Sequence, residues 1–325
     1  MKAIVQERFG PPDVLQFVDT DPPRPGPHDV VVRVRAAAVN PYDWHVLRGD
    51  PYVARLMGGV GLTRPRSRVA GADGAGIVEA VGDDVEDLRI GDEVLGWFEG
   101  SFAEYARAAS DRVVPKPADL TFEQAAAVPM AGETALRAVR DVGRVHTGHR
   151  VLVNGAAGGV GSFAVQIAAA LGAEVTGVCS TRNVELVRSL GATHVVDHTV
   201  DDFTDARRRY DVVLDNVGNR PLRRLRRALA PDGTLVANAG GSPGHLFGPI
   251  GAILRVVVVN GMVRQRLAPL PSTWVRDDLL AVTELIEAGT VTPLVGRTFP
   301  LADTAAALRL VEAGHARGKV VITVA

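Results

Sequence analysis

One cysteine, Cys179, stands in a chain of 325 residues. No intrachain disulfide can form, and a reducing compartment, read as the cytoplasm, is expected. An excess of either charge is also missing. The formal net charge is −1, which gives no electrostatic case for nucleic acid or an anionic membrane as a partner. Two short basic clusters, 207–209 and 223–227, read as solvated surface charge, because Arg223, Arg224, Arg226 and Arg227 cannot share one narrow helix face. No apolar run reaches the ~18 residues of a membrane span. The longest suspect, 249–259, is short and contains Arg255. The opening MKAIVQERFGPPDVLQFVD carries Lys2, Glu7 and Arg8, lacks a cleavage signal, and reads as a folded strand. Hydrophobic residues still make up 46% of the chain, enough to bury more than one core, and the length implies two domains.

Residues 1–118 hold short β-branched runs at 30–34, 76–81, 93–95 and 113–114, separated by Pro/Gly/Asp turns, the pattern of a β-rich, partly barrel-like domain. From Thr121 the texture turns helical and then alternates between strands and helices, which implies a doubly wound parallel sheet. The last run, KVVITV at 319–324, reads as a strand that belongs to the first domain only if the chain returns to it.

The most informative segment is VLVNGAAGGVGSFAVQIAAALGAEVTGVCSTRN at 151–183. An apolar strand, a glycine turn, a helix and a second apolar strand make a dinucleotide-binding β-α-β unit. Ala156 stands where the usual fingerprint has its first glycine. Gly158 lets the backbone approach a pyrophosphate and Gly161 lets the helix pack on the strand; Gly159 and Val160, between them in the same turn, are read with them as cofactor-binding. What is absent decides the dinucleotide: no acid follows the second strand to bind a ribose 2′-hydroxyl. The residues there are Ser180, Thr181 and Arg182, which suit a 2′-phosphate and hence NADP(H). The other reading of Arg182 is a solvated surface arginine.

These landmarks, with AAAVNPYDW (36–44), GADGAGIVEAVG (71–82), GDEVLGW (91–97), AAAVPMAGETAL (125–136), YDVVLDNVG (210–218) and HARGKVVI (315–322), resemble the zinc-independent medium-chain dehydrogenases/reductases of the quinone oxidoreductase-like, zeta-crystallin-type branch. The resemblance implies an α/β fold with a GroES-like catalytic domain over 1–118, completed by 292–325, and a Rossmann NADP(H)-binding domain over 119–291. Zinc members of the superfamily place a cysteine in the segment matching 39–44 and a His-Glu pair after the glycine matching Gly71. Here those segments read Asn40-Pro41-Tyr42-Asp43 and Gly71-Ala72-Asp73, so no metal is expected.

The activity implied is NADPH-dependent hydride transfer to a quinone or an α,β-unsaturated carbonyl; the alternative is a non-catalytic NADPH-binding sensor or structural protein. By resemblance Asn40 and Asp43 line the substrate side of the cleft, although both residue types also cap helices. Tyr42 is either a hydrogen-bond or proton donor or a pocket wall. The resemblance puts Thr134 near the nicotinamide, Asn216 and Gly218 near its ribose, Ala239, Gly240 and Gly241 beside the ring, and Lys319 close by. His198, where relatives often have tyrosine, either contacts the 2′-phosphate or faces solvent. A homodimer is implied, built through a Rossmann edge strand at Val256–Val263.

Overall fold

The run DVVVRVRAAAV forms the strand Asp29–Val39, with Val30, Val32, Val34, Ala37 and Val39 buried and Arg33 and Arg35 exposed. This is the two-residue period of a pleated strand facing a core. The computed structural model describes residues 1–50, 52, 55, 61–205, 208–238, 248–271, 273–314 and 316–325. The chain divides into two compact units. One is Met1–Met130 with Trp274–Glu287 and Pro293–Ala325; the other is Ala131–Thr273 with Ala288–Thr292.

In the first unit Asp29–Val39 pairs antiparallel with Asp73–Val81, with Tyr105–Ala109 and with the C-terminal strand Lys319–Thr323. The seven-stranded sheet runs Val295–Pro300, Lys319–Thr323, Asp29–Val39, Asp73–Val81, Glu93–Trp97, Val113–Pro115, with Tyr105–Ala109 off this path. The chain therefore does return to the β-rich unit, and Ile322 and Val320 complete a core with Val32, Phe98, Phe102 and Leu308. Residues 119–130 and 274–287 group with this unit, whereas the boundaries implied by the resemblance place them in the nucleotide domain. The contacts explain it. Arg35 and Lys116 lie over the Phe122 ring, and Arg276 binds Asp87 and the Val113 carbonyl. Texture marks where strands give way to helices, not where contacts divide.

The second unit holds a six-stranded parallel sheet in the order His194–Asp197, Glu174–Cys179, Arg150–Asn154, Tyr210–Asp215, Leu229–Ala237, Arg266–Pro269. Numbered along the chain this is 3-2-1-4-5-6, the doubly wound dinucleotide-binding order. Its strands end together at Asn154, Cys179, Asp197, Asp215 and Ala237, so residues just beyond them gather at one edge.

One expectation fails here. The run VVVVNGMV at 256–263 is not an edge strand: Gly248–Asn260 is a helix, and the sheet edge is Arg266–Pro269. Val256 is buried, and Val259 and Val263 pack on the same core. The three-residue step from Val256 to Val259 is helical, while Leu254, Val257 and Val258 are exposed. Four β-branched residues favour a strand locally, but burial of one helical face overrides that preference.

Candidate active site

Pairing in the first unit brings three strand ends together. Ala38 lies opposite Asp73, and Val39 opposite Val320, so Asn40, Asp73 and Lys319 become neighbours. The Asn40 amide Nδ2 donates to Asp73 Oδ2 at 2.9 Å, and the Lys319 ammonium donates to Asn40 Oδ1. Lys319 Nζ lies 3.7 Å from Asp73 Oδ2, which also accepts from the Met130 backbone N–H at 3.2 Å. Asn40 precedes the helix Pro41–Arg48, and Asp43 in its first turn accepts from the Asn40 backbone N–H at 2.7 Å. All four side chains are at most 7% exposed. Asp73 Oδ1 is buried with no hydrogen-bond partner among the described residues.

Two carboxylates and one ammonium share this dry space, and burial dominates their titration. It pushes Asp73 up and Lys319 down, each partly opposed by the other's charge. It raises Asp43 to about 7, with the Asp73 charge adding to the shift and the Asn40 N–H and Lys319 opposing it. Tyr42, partly exposed and edge-on to Trp97 at 5.7 Å, is pushed up by burial and then by the Asp43 charge.

The Asp43 shift makes a stability prediction. The folded protein holds this proton up to about pH 7, whereas an unfolded aspartate releases it near 3.8. Its contribution is full below pH ~4 and is lost as pH rises through the folded value, at up to about 1.4 kcal/mol per pH unit. Asp43→Asn keeps an acceptor for the Asn40 N–H and has no proton to lose. Urea unfolding between pH 5 and 8 is expected to show a flatter decline in the variant; parallel curves would refute the shift.

In the second unit the glycine turn follows strand Arg150–Asn154, and Gly158 precedes the helix Gly159–Ala170. The amides of Gly159, Val160 and Gly161 open that helix and have no acceptor within it. A Cβ on Gly161 would sit 2.1 Å from the Gly155 carbonyl oxygen, so only glycine lets helix and turn approach this closely. At Gly158 a Cβ would meet, among the described residues, nothing nearer than 3.4 Å, which leaves room for a ligand there. Ala156 in place of the first glycine is also accounted for. A Cβ on Gly177 of the adjacent strand would lie 3.1 Å from the Ala156 methyl, and the bare glycine makes room for it.

Ser180, Thr181 and Arg182 follow strand Glu174–Cys179, with Arg182 exposed. His198 is exposed beside them, its backbone N–H donating to the Cys179 carbonyl at 3.0 Å. Asp197, paired with Cys179 across the sheet, escaped the sequence reading. Thr181 and Thr199 hydroxyls hold its carboxyl below the usual range. At the next strand end, Asp215 Oδ1 accepts from Asn154 Nδ2 at 2.8 Å and from the Gly218 N–H at 3.0 Å. Asn216 Oδ1 accepts from Asn238, while its Nδ2 is buried with no hydrogen-bond partner among the described residues. The open face at Gly158, the free helix amides and this orphaned donor fit a dinucleotide. Thr134 is half-buried in helix Pro129–Leu136, among buried neighbours. Ala239, Gly240 and Gly241 lie outside the described residues.

Residues 26–118 match the family model described as alcohol dehydrogenase GroES-like domain, and 190–322 that of zinc-binding dehydrogenase. The human protein named NAD(P)H oxidoreductase RTN4IP1, mitochondrial, is 33% identical over 100% of this chain and 89% of its own. The quinone oxidoreductase from Coxiella burnetii superposes with a TM-score of 0.87 at 32% identity, covering 100% of this chain and 99% of that one. The chain belongs to the quinone oxidoreductase-like medium-chain dehydrogenases/reductases. Its members include the Arabidopsis thaliana NADPH-dependent alkenal/one oxidoreductase, chloroplastic, 34% identical over 99% of this chain and 79% of that protein. The Escherichia coli quinone oxidoreductase solved with NADPH has a TM-score of 0.84 at 26% identity, over 99% of this chain and 100% of that one.

Within that family, residues the sequence assigned to two roles meet in one cluster. Asn40 and Asp43 were expected on the substrate side and Lys319 beside the cofactor, yet Lys319 spends its ammonium on Asn40 and Asp73. Asp73 was missed as a site residue. Its signal was a carboxylate opening the apolar run of GADGAGIV. Among the described residues no group of three or more His, Cys, Asp or Glu is arranged to hold a metal, and no helix is long and apolar enough to cross a membrane.

Proposed function

We propose that this protein is a metal-independent oxidoreductase that uses NADPH to reduce a quinone or the C=C bond of an α,β-unsaturated carbonyl. The observation that carries the reading is the state of Asn40. Zinc members of the superfamily offer a ligand there; here both ends of the amide are engaged, by Asp73 and Lys319, and the neighbouring ligand position is Ala72. Without residues to seat a Lewis acid, the suitable acceptors are those whose own conjugation spreads the arriving charge. The names of the quinone and alkenal/one relatives support the same class.

Bound NADPH supplies the hydride. The amides of Gly159, Val160 and Gly161, with the open face of Gly158, hold its pyrophosphate against the positive end of the helix. Ser180, Thr181, Arg182 and His198 take the 2′-phosphate, Asn216 Nδ2 and Gly218 face the ribose, and Thr134 approaches the ring. Tyr42 keeps its Oη proton at neutral pH, because burial and the Asp43 charge raise its pKa. It is therefore a hydrogen-bond donor to an acceptor oxygen that gains charge. The cluster beneath it fixes the turn that carries it. The single buried cysteine suits a reducing compartment, whether the cytoplasm or an organelle of the kind named for the mitochondrial and chloroplastic relatives.

Spectroscopic NADPH oxidation across ortho- and para-quinones, enones and enals, with NADH as control, is the test. Turnover with NADPH is expected. Tight NADPH binding with no acceptor reduced would transfer the reading to a sensor or structural protein.

Two copies associate, in this reading, along the sheet edge Arg266–Pro269 and the exposed helix face of Leu254, Val257 and Val258. An uncovered apolar face beside a sheet edge invites aggregation. Val257→Lys is expected to give monomers by light scattering; an unchanged dimer would remove this face from the interface.

A further inference from the structure

At the opposite edge of the second unit's sheet, the arginines that the sequence scattered are gathered. Arg209 precedes strand Tyr210–Asp215, Arg264 and Gln265 precede strand Arg266–Pro269, and Arg223, Arg226 and Arg227 come from helix Leu222–Ala228. Together they line an open groove of about 470 Å³, the size of a small-molecule site. Arg223, Arg224, Arg226 and Arg227 do not share one face, as expected. Arg224 turns to Asp202 at 2.9 Å, where Arg220 also binds. The other three enter the groove.

Charge in the groove is not neutralised. Arg223 and Arg227 have no ion pair or side-chain hydrogen bond among the described residues. Among the described residues the carboxylate paired with a groove arginine is Asp232, 3.3 Å from Arg264 where both are largely exposed. A framework nevertheless holds the shape. Arg226 Nε donates to Gln265 Oε1 at 2.9 Å, Gln265 Nε2 returns to the Arg226 carbonyl at 2.8 Å, and Arg209 donates to the Leu229 carbonyl at 3.3 Å. The C-terminal dipole of a seven-residue helix favours one or two cations, not five converging from three elements. A solvated charged face, by contrast, is interspersed with acids, as the Arg220–Arg224–Asp202 side of the same helix is.

We propose that this groove binds a small free polyanion, the diphosphate or triphosphate group of a soluble ligand. Planar guanidinium groups match phosphate oxygens two at a time, and five of them around one open groove favour a compact multiply charged group over an extended chain. The dinucleotide cradle lies past the other end of the strands. The six residues of Tyr210–Asp215 separate the two edges, about 20 Å at the rise of a strand. A ligand here leaves that cradle open.

The test is calorimetric titration of sodium tripolyphosphate into the full-length protein saturated with NADPH, at physiological salt, so that the cradle is filled. Saturable binding to one site is expected. Arg223→Ala/Arg227→Ala should weaken it by roughly tenfold or more, given two charge-assisted pairs lost. Arg224→Ala should leave it unchanged, and NADPH affinity should be the same in all three proteins. If the double variant loses NADPH binding through misfolding, Arg264→Ala serves in its place, with a weaker but measurable loss expected. No saturable binding, or equal binding by wild type and groove variants, overturns the proposal. So does binding to phosphatidate vesicles without binding to tripolyphosphate, which would identify the surface as a lipid contact.

Discussion

Replacing Lys319 by methionine is expected to lower stability by about 3–5 kcal/mol, the cost of leaving buried charge without its partner. Lys319 is 4% exposed, donates to Asn40 Oδ1, and is the cation closest to Asp73 at 3.7 Å. Methionine has nearly the same length and fills the same space, so lost packing is a minor part of the effect. What disappears is the one positive charge among two buried carboxylates, together with the donor that fixes the Asn40 amide. The loss should grow from pH 6 to pH 8, because Asp43, with its pKa raised to about 7, gives up its proton over that range. A second substitution separates charge from shape. Asp73→Asn on the Lys319→Met background removes the uncompensated carboxylate and should recover most of the stability. A single variant within about 1 kcal/mol of wild type, or a double variant no better than the single one, would show that the cluster is not held by its charges.

This cluster also marks how far the sequence can be read. The fold was legible because its signals are local and repeated: the two-residue alternation of DVVVRVRAAAV, the glycine turn between strand and helix, and strands alternating with helices. The return of Lys319–Thr323 to the first unit came through resemblance, since no local pattern says which strand it pairs with. Asp73 was not legible, because what makes it important is the register that sets it opposite Ala38, and register is a long-range property. The same limit hid the contacts of Lys319 with Asn40 and Asp73. Val256–Val259 failed for the converse reason: a strong local preference for strand gave way to burial on one helical face. The arginines of 223–227 were correctly denied a common face. The groove that three of them form needs Arg209 and Arg264, which arrive from other strands.

The second large effect concerns the choice of dinucleotide. Arg182→Glu is expected to weaken NADPH binding roughly 100-fold, about 3 kcal/mol, while NADH binding changes little. Arg182 follows the second strand of the nucleotide unit, after Ser180 and Thr181, with no acid in that stretch. An acid does stand one strand away. Asp197 lies opposite Cys179 and is kept ionised by the hydroxyls of Thr181 and Thr199. A 2′-phosphate in this corner meets that negative charge, so Arg182 has more to offset than the second strand alone suggests. The substitution removes a charge-assisted pair and adds a second carboxylate beside Asp197, and both changes act against the phosphate. For NADH the new carboxylate is an acceptor for the ribose 2′-hydroxyl, the contact that NAD-preferring sites use. Fluorescence titration of the two cofactors with wild type and variant reads the difference directly. Equal losses for NADPH and NADH would mean that Arg182 supports the turn and not the phosphate; an unchanged NADPH affinity would return it to the solvated surface.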